Sequence, residues 1–337
     1  QYVRDALPNA STLKLGMVYP LPMKLIADFA ARVDRLIIVE ELEGLIEKDV
    51  KAAGIACEGK ALTGIQGELS VERVKSAVLG TPILKGESGE LPARPPVLCP
   101  GCPHRGVFYE LNRLGLRVMG DIGCYTLAAL PPLSAMDACL CMGASIGMAG
   151  GAERAQGKEF SKNTVAVLGD STFIHSGITS LVDAVYNQEA ITVLILDNRI
   201  TGMTGHQQNP ASGKDIHGNP APAVNLEKLC EACGVKHVRV VDPFDLKATH
   251  QAIKEETARD EVSVIIARRP CALLDKTVRP PYAIDQCKNC GACMKLSCPA
   301  IERREGGMAI NPALCNGCGL CVQVCPFGAI HEGGRKE

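Results

Sequence analysis

The chain carries almost no net charge: 36 Lys and Arg residues stand against 37 Asp and Glu. That balance implies no polyelectrolyte partner. The basic residues are scattered rather than clustered, so the sequence gives no nucleic-acid signal. It also lacks any apolar run near the ~20 residues that a membrane-crossing helix needs. The opening stretch, QYVRDALPNA, has no initiator methionine and no apolar signal-peptide core. It starts just ahead of a strand-like run, which suggests a fragment or subunit piece whose N-terminal half lies elsewhere. With no leader visible, a cytoplasmic location is expected.

What the chain has in excess is cysteine, 17 in 337 residues. An oxidising compartment would favour a small disulfide scaffold. A chain this long and 46% apolar has enough core for two or three domains instead. Metal ligation is the better reading, and cysteine spacing has to support it.

The first ~80 residues alternate strand and helix patterns, an alternation read as a small α/β unit. LKLGMVY (13–19) and RLIIVEE (35–41) read as strands; PMKLIADFAARV (22–33), 42–53 and 71–79 read as helices. A turn-rich, proline-rich linker spans 85–96. From 97 to 272 five apolar runs (117–123, 164–170, 191–198, 236–242 and 262–268) alternate with helical stretches. Such runs predict a parallel sheet covered on both faces, a doubly wound α/β domain. A long polar loop at 199–223 interrupts them, and loops of that length are usually functional or disordered. A second linker (273–284) leads to a cysteine-rich segment, 285–337, too poor in periodic structure to fold without a metal staple.

That segment holds CKNCGACMKLSCP, with Cys287, Cys290, Cys293 and Cys298, and CNGCGLCVQVCP, with Cys315, Cys318, Cys321 and Cys325. The second run fits C-x2-C-x2-C-x3-C-P, and the first has one extra residue before its last cysteine. The pair resembles a bacterial two-cluster ferredoxin domain, in which the fourth cysteine of each run ligates the other cluster. That resemblance implies one [4Fe–4S] cube on Cys287, Cys290, Cys293 and Cys325, and another on Cys315, Cys318, Cys321 and Cys298. Two zinc sites are the alternative, and the recurrence of triple x2 spacing with Cys-Pro disfavours it.

VLGDSTFIHSG (167–177) runs a buried strand into a Gly-Asp turn and a helix, and Asn198 follows Asp170 by 28 residues, at the end of the next strand. This resembles the thiamine diphosphate family motif. A carboxylate and an amide oxygen at adjacent strand ends suit Mg2+, a hard cation that takes oxygen ligands shared with phosphates. Strand C-terminal ends beside helix N-termini suit the diphosphate. The resemblance implies Mg2+ ligation by the side chains of Asp170 and Asn198 and by the Ile200 carbonyl, with Gly169 allowing close approach. Ser171 and Asp197 depart from the common motif. Further cofactor-lining candidates lie in DIGCYTL (Cys124, Tyr125), CMGASIGMAGG (Gly143) and TGMTGHQ (Thr201, Met203, His206), with Ser171 beside the motif. Taken singly, His104, His175 and His206 read as surface or helix-capping histidines.

A thiamine site and a ferredoxin tail on one chain resemble the 2-oxoacid:ferredoxin oxidoreductases, and most closely their indolepyruvate α-subunit branch. In that branch a transketolase-C-like unit precedes the thiamine diphosphate domain. The resemblance implies oxidative decarboxylation of an arylpyruvate with coenzyme A, and ferredoxin as the electron acceptor. It also implies a smaller β subunit, a hetero-oligomer, and a preceding pyrimidine-binding domain that supplies the activating glutamate. No catalytic base is therefore assigned on this chain. Related enzymes hold a cluster beside thiamine, and Cys99 and Cys102 (in CPGCPHR), Cys124 and Cys271 match its ligands in order and context. Zinc on these four stays open, as does their being buried free thiols. Cys57, Cys139, Cys141, Cys230 and Cys233 are expected to be buried free thiols. Rival readings are a pyruvate or branched-chain 2-oxo acid enzyme and an electron-transfer subunit with a vestigial thiamine fold.

Overall fold

The computed structural model describes residues 1–83 and 92–333; most of the expected 85–96 linker falls outside them. Two compact units divide the chain, Gln1–Ala93 and Arg94–Glu337. Among the described residues no helix is long and apolar enough to cross a membrane.

In the first unit the helices form where the sequence caps them. Ser70 Oγ accepts the Arg73 N–H at the start of Val71–Leu79, and Gly80 closes that helix in the left-handed conformation. The Glu40 carboxylate accepts the Ile46 and Glu47 N–H groups at the start of Leu45–Ala52, each at 3.0 Å. The expected strands are absent. Residues 35–41 make a single parallel bridge, Ile37 with Glu58, and 13–19 pair with nothing among the described residues. The physical reason is the lack of a ladder partner: hydrophobic pattern alone does not satisfy backbone N–H and C=O groups. Met17, Val18 and Tyr19 are correspondingly exposed.

The second unit is built on six parallel strands: β1 (Arg117–Gly120), β2 (Ala138–Cys139), β3 (Thr164–Gly169), β4 (Thr192–Asp197), β5 (His237–Val241) and β6 (Ser263–Arg268). Their order is β2-β1-β3-β4-β6-β5, every pair parallel. The five runs expected as strands are strands; β2, a two-residue edge, carries too short a signal to stand out.

Strand period explains the two-sided core. Val165, Val167, Leu194, Leu196 and Ile265 face helices His104–Leu114 and Leu246–Thr257 on one side. Ala166, Leu168, Val193, Ile195 and Ile266 face Ala144–Gln156, Ile178–Tyr186 and Leu226–Ala232 on the other. This is the doubly wound arrangement. Each such side chain contributes roughly 1.5–3 kcal/mol on burial, before the entropy of ordering is subtracted. Chain order reverses between β1 and β3, so the crevice at their C-terminal ends is the expected ligand position.

The cysteine-rich segment packs against the same unit. Leu296, Ile301, Met308, Leu320 and Ile330 share a small core with Leu246, and Tyr109 and Phe244 lie against it. Tyr282–Ile284 pairs antiparallel with Ile330–Glu332, and Ile301–Arg304 with Gly307–Ile310. Gln323 holds the segment to the Leu246 helix, accepting the Leu246 N–H at 3.1 Å and donating to the Phe244 carbonyl at 2.7 Å.

Gly106, in the first turn of helix His104–Leu114, lets that helix approach the loop before Leu246. A Cβ there would overlap the Pro243 carbonyl oxygen. Gly106→Ala should therefore destabilise the second unit by about 1–3 kcal/mol, as overpacking does. A thermal melt should show a drop of several degrees, and an unchanged midpoint would show that the contact yields freely.

Candidate functional site

Site residues gather where β1, β3 and β4 end. Asp170 follows β3 and is 2% exposed. Its carboxylate accepts the Ser171 N–H at 2.8 Å and the Arg199 N–H at 3.0 Å. Burial pushes the Asp170 carboxyl up to about 6, and Asp197 adds to this; the donors from Ser171, Arg199 and Asn209 oppose it. No Lys, Arg or His side chain pairs with this carboxylate among the described residues. A buried carboxylate held only by neutral donors invites a cation.

Asn198 lies beside it, and its Oδ1 accepts the Ile200 N–H at 3.3 Å. Ile200 itself is buried. Tyr125, after β1, places its hydroxyl against the start of the Asp170 turn, accepting the Gly169 N–H at 3.1 Å. Gly143 adopts a left-handed conformation to start helix Ala144–Gln156 and sits against Ser176, where a Cβ would clash. Thr201 pairs with Gln207 across a turn on which Met203 and His206 are exposed, and that turn brings Gly202 beside the Cys124 thiol. Gly169, Asp170, Ser171, Asn198, Ile200, Tyr125 and Cys124 are thus close together. Met203 and His206 lie at the open side.

Two residues belong here that pattern reading did not single out. Asp121 ends β1 fully buried; its Oδ2 accepts the Ser145 hydroxyl at 2.8 Å while Oδ1 has no partner. Burial pushes its carboxyl up. His104 is no surface or capping histidine. It is 5% exposed, packs edge-on against Tyr125, and its Nε2 lies 3.4 Å from Asn198 Nδ2. Burial lowers its pKa to about 4, so the ring is neutral and Nε2 accepts from the amide. The amide oxygen of Asn198 is thereby turned toward Ile200. The only sequence signal was position: His104 sits inside CPGCPHR, between two segments that both reach the site.

Twelve of the 17 cysteines fall into three sets. Cys287, Cys290, Cys293 and Cys325 line one space. Cys298, Cys315, Cys318 and Cys321 line another, together with Pro100, Gly101 and Arg105. Each set takes its fourth member from the other run. Backbone N–H groups point at the thiols, from Met308 and Asn289 to Cys287 (3.4 and 3.3 Å) and from Tyr282 to Cys315 (3.5 Å). Burial pushes Cys321 up to about 12, with Cys318, Cys298 and Cys315 adding to the shift. Such thiols ionise only when a metal takes them.

In the third set Cys102, pushed up to about 12 by burial, lies within electrostatic reach of Cys99 and Cys271, and Cys124 within reach of Cys271 and Cys99. Cys271 N–H donates to the Asn198 carbonyl at 3.0 Å. Among the described residues no three His, Cys, Asp or Glu side chains close on a single-ion position. The two ferredoxin-like sets border a space instead, which suits a cube better than one zinc with ~2.3 Å Zn–S bonds.

Of the five cysteines expected as buried thiols, only Cys230 is buried. Cys139 and Cys141 are exposed, Cys57 and Cys233 intermediate. Cys139 ends an edge strand with a partner on one side only, so nothing among the described residues covers it.

Comparison with known proteins bears directly on this arrangement. The family model for the thiamine pyrophosphate enzyme C-terminal TPP binding domain matches residues 121–267, that for a 4Fe-4S binding domain 308–331, and that for an indolepyruvate oxidoreductase domain 7–73. Indolepyruvate oxidoreductase subunit IorA of Methanothermobacter marburgensis is 39% identical over 99% of this chain and 58% of its own length. The Pyrococcus horikoshii subunit of the same name is 38% identical, over 98% and 58%. The chain is similar to these subunits over nearly its whole length. It spans somewhat over half the length of these relatives. A solved 2-oxoglutarate:ferredoxin oxidoreductase from Magnetococcus marinus aligns at 20% identity and a TM-score of 0.46, covering 65% of this chain and 80% of that one. The chain thus carries a thiamine diphosphate domain and an iron–sulfur domain.

Asp170→Asn should weaken Mg2+-dependent thiamine diphosphate binding beyond detection by calorimetry. His104→Leu, which frees the Asn198 amide to turn, should weaken it by roughly 10–100-fold, as loss of a ligand's supporting partner does. Unchanged affinity in both would remove these residues from the site.

His104 also sets an acid limit on stability. Below about pH 6.5 the unfolded chain takes up a proton that folded His104 refuses until about 4. Cofactor-free protein should therefore lose on the order of 3 kcal/mol across that window from this group alone. His104→Gln should show a shallower fall in urea-unfolding stability between pH 7 and 4; parallel curves would contradict the buried neutral ring.

Proposed function

We propose that this chain is the cofactor-bearing part of an enzyme that converts a 2-oxo acid, coenzyme A and two oxidised ferredoxins to an acyl-CoA, CO2, two reduced ferredoxins and a proton. The names of its relatives support indolepyruvate, an arylpyruvate, as substrate. The observation that carries the reading is the position of the third cysteine set. It adjoins the thiamine residues through Cys271 and Asn198, and its CPGC loop borders the space lined by Cys298, Cys315, Cys318 and Cys321.

Asp170, Asn198 and the Ile200 carbonyl hold Mg2+. Gly169, Ser171, Thr201, Gly143 and Tyr125 line the diphosphate, while Met203 and His206 close the open side once the rest of the protein is present. Thiamine diphosphate held there would supply the chemistry for decarboxylating a 2-oxo acid and passing on its electrons. The residues of this chain keep that group oriented, exclude water beneath it with Tyr125 and His104, and offer three thiol sets. Cys99, Cys102, Cys124 and Cys271 hold a third cube. The division of labour follows 1–84, 97–272 and 285–337: an accessory unit, the cofactor domain and the electron exit. The activating carboxylate, the smaller subunit and the ferredoxin come from outside this chain, in a cytoplasmic hetero-oligomer.

Iron analysis separates the parts of this reading. Anaerobically reconstituted protein should bind about twelve irons, three cubes of four, and Cys271→Ala should bind about eight. Eight in both would dismiss the third cube. In the assembled enzyme, indolepyruvate should bleach the cluster absorbance only with thiamine diphosphate present; bleaching without it would reject the thiamine route.

A further inference from the structure

One buried cation in the second unit has no counter-ion among the described residues. Arg105 is 1% exposed, and its hydrogen bonds all go to neutral backbone carbonyls. Its Nη1 donates to Leu296 at 2.5 Å, and its Nη2 to Leu98 at 2.8 Å and Cys99 at 2.9 Å. Its Nε has no partner. No Asp or Glu pairs with it among the described residues. Guanidinium does not give up its proton in proteins, so Arg105 stays charged where it lies. A buried cation held only by neutral groups is costly and calls for an anion.

The surroundings say where that anion belongs. The guanidinium borders the space lined by Cys298, Cys315, Cys318 and Cys321. Its carbonyl partners come from both sides of a junction: Leu98 and Cys99 from the CPGC loop, and Leu296, two residues before Cys298. It is absent from the space lined by Cys287, Cys290, Cys293 and Cys325.

A cube with four thiolates carries net negative charge, and one-electron reduction adds one more. A fixed cation beside it therefore favours the reduced form, and net charge and hydrogen bonding are levers on cluster potential. We propose that Arg105 is the buried counter-cation of the cube on Cys298, Cys315, Cys318 and Cys321, a positioning residue that raises the reduction potential of that cube and leaves the other ferredoxin cube unaffected. The assignment rests on the cluster reading above and adds a direction to it. The cube nearest the CPGC loop becomes the better electron acceptor, and electrons from the inner set are drawn toward the exit. Arginine suits the position because its fork reaches three carbonyls at once while presenting charge to the cube.

The test is a redox titration of the reconstituted full chain, with each cube followed by its electron paramagnetic resonance signal. Arg105→Gln should lower the midpoint of one ferredoxin-type signal by at least roughly tenfold in the reduction equilibrium, about 59 mV for one electron. The signal lost on Cys287→Ala identifies the other cube, which should keep its midpoint. Arg105→Lys, which keeps the charge, should restore most of the shift. If Gln loses one cube's iron while Lys retains it at the native midpoint, charge is still what the site demands. Unmoved potentials in Gln, equal shifts of both cubes, or loss of iron in Gln and Lys alike would overturn the assignment. Failure of the unmodified protein to bind iron would instead sink the cluster reading itself.

Discussion

Five consecutive residue pairs, from Val165–Thr192 to Gly169–Leu196, lock β3 against β4. Because the strands run parallel and end together, whatever follows one lies beside whatever follows the other. That register puts the Asp170 carboxylate next to the Arg199 N–H and leaves Asn198 one step away. A slip of one residue would reverse every side chain across the two cores and separate the carboxylate from the amide. Binding geometry here is a by-product of packing: the Val, Ile and Leu residues filling both faces hold the strand ends level.

The loop CPGCPHR connects that strand-end site to the cysteine-rich segment, and each of its residue types has work there. Cys99 and Cys102 lie within electrostatic reach of one another, and Cys102 within reach of Cys271. Gly101, in the left-handed conformation, leaves room for Asn316, whose side chain donates to the Pro100 carbonyl at 3.3 Å. His104 reaches back to Asn198, and Arg105 reaches forward to Leu296. Adjacent residues therefore address opposite ends of the same unit.

Much of this was legible in the sequence because the signals are local. Thiol spacing of two residues survives any tertiary arrangement, and apolar runs such as TVAVLG and TVLILD stay buried wherever the sheet goes. What escaped depends on distant partners. His104 reads as a capping residue until Tyr125 and Asn198, both remote in sequence, are seen to enclose it. The run 13–19 has a strand's composition, yet no neighbour offers it a ladder. Cys139 and Cys141 have the hydrophobicity of core residues but sit on a short edge where the sheet stops. Asp121 hides in a stretch that reads as a glycine-rich turn, and only its orphaned oxygen shows that it faces inward.

The ties between the cysteine-rich segment and the rest of the second unit have a kinetic meaning. Asn316 joins it to the CPGC loop, Leu296 to Arg105, and Gln323 to Phe244 and Leu246. A module packed and hydrogen-bonded at several points is not laid out as a tethered carrier domain. Its thiol sets keep a fixed spacing from the CPGC loop. Tunnelling falls off exponentially with distance, so any electron moving along this path would find its gaps set by side-chain packing, with no wait for a domain to arrive.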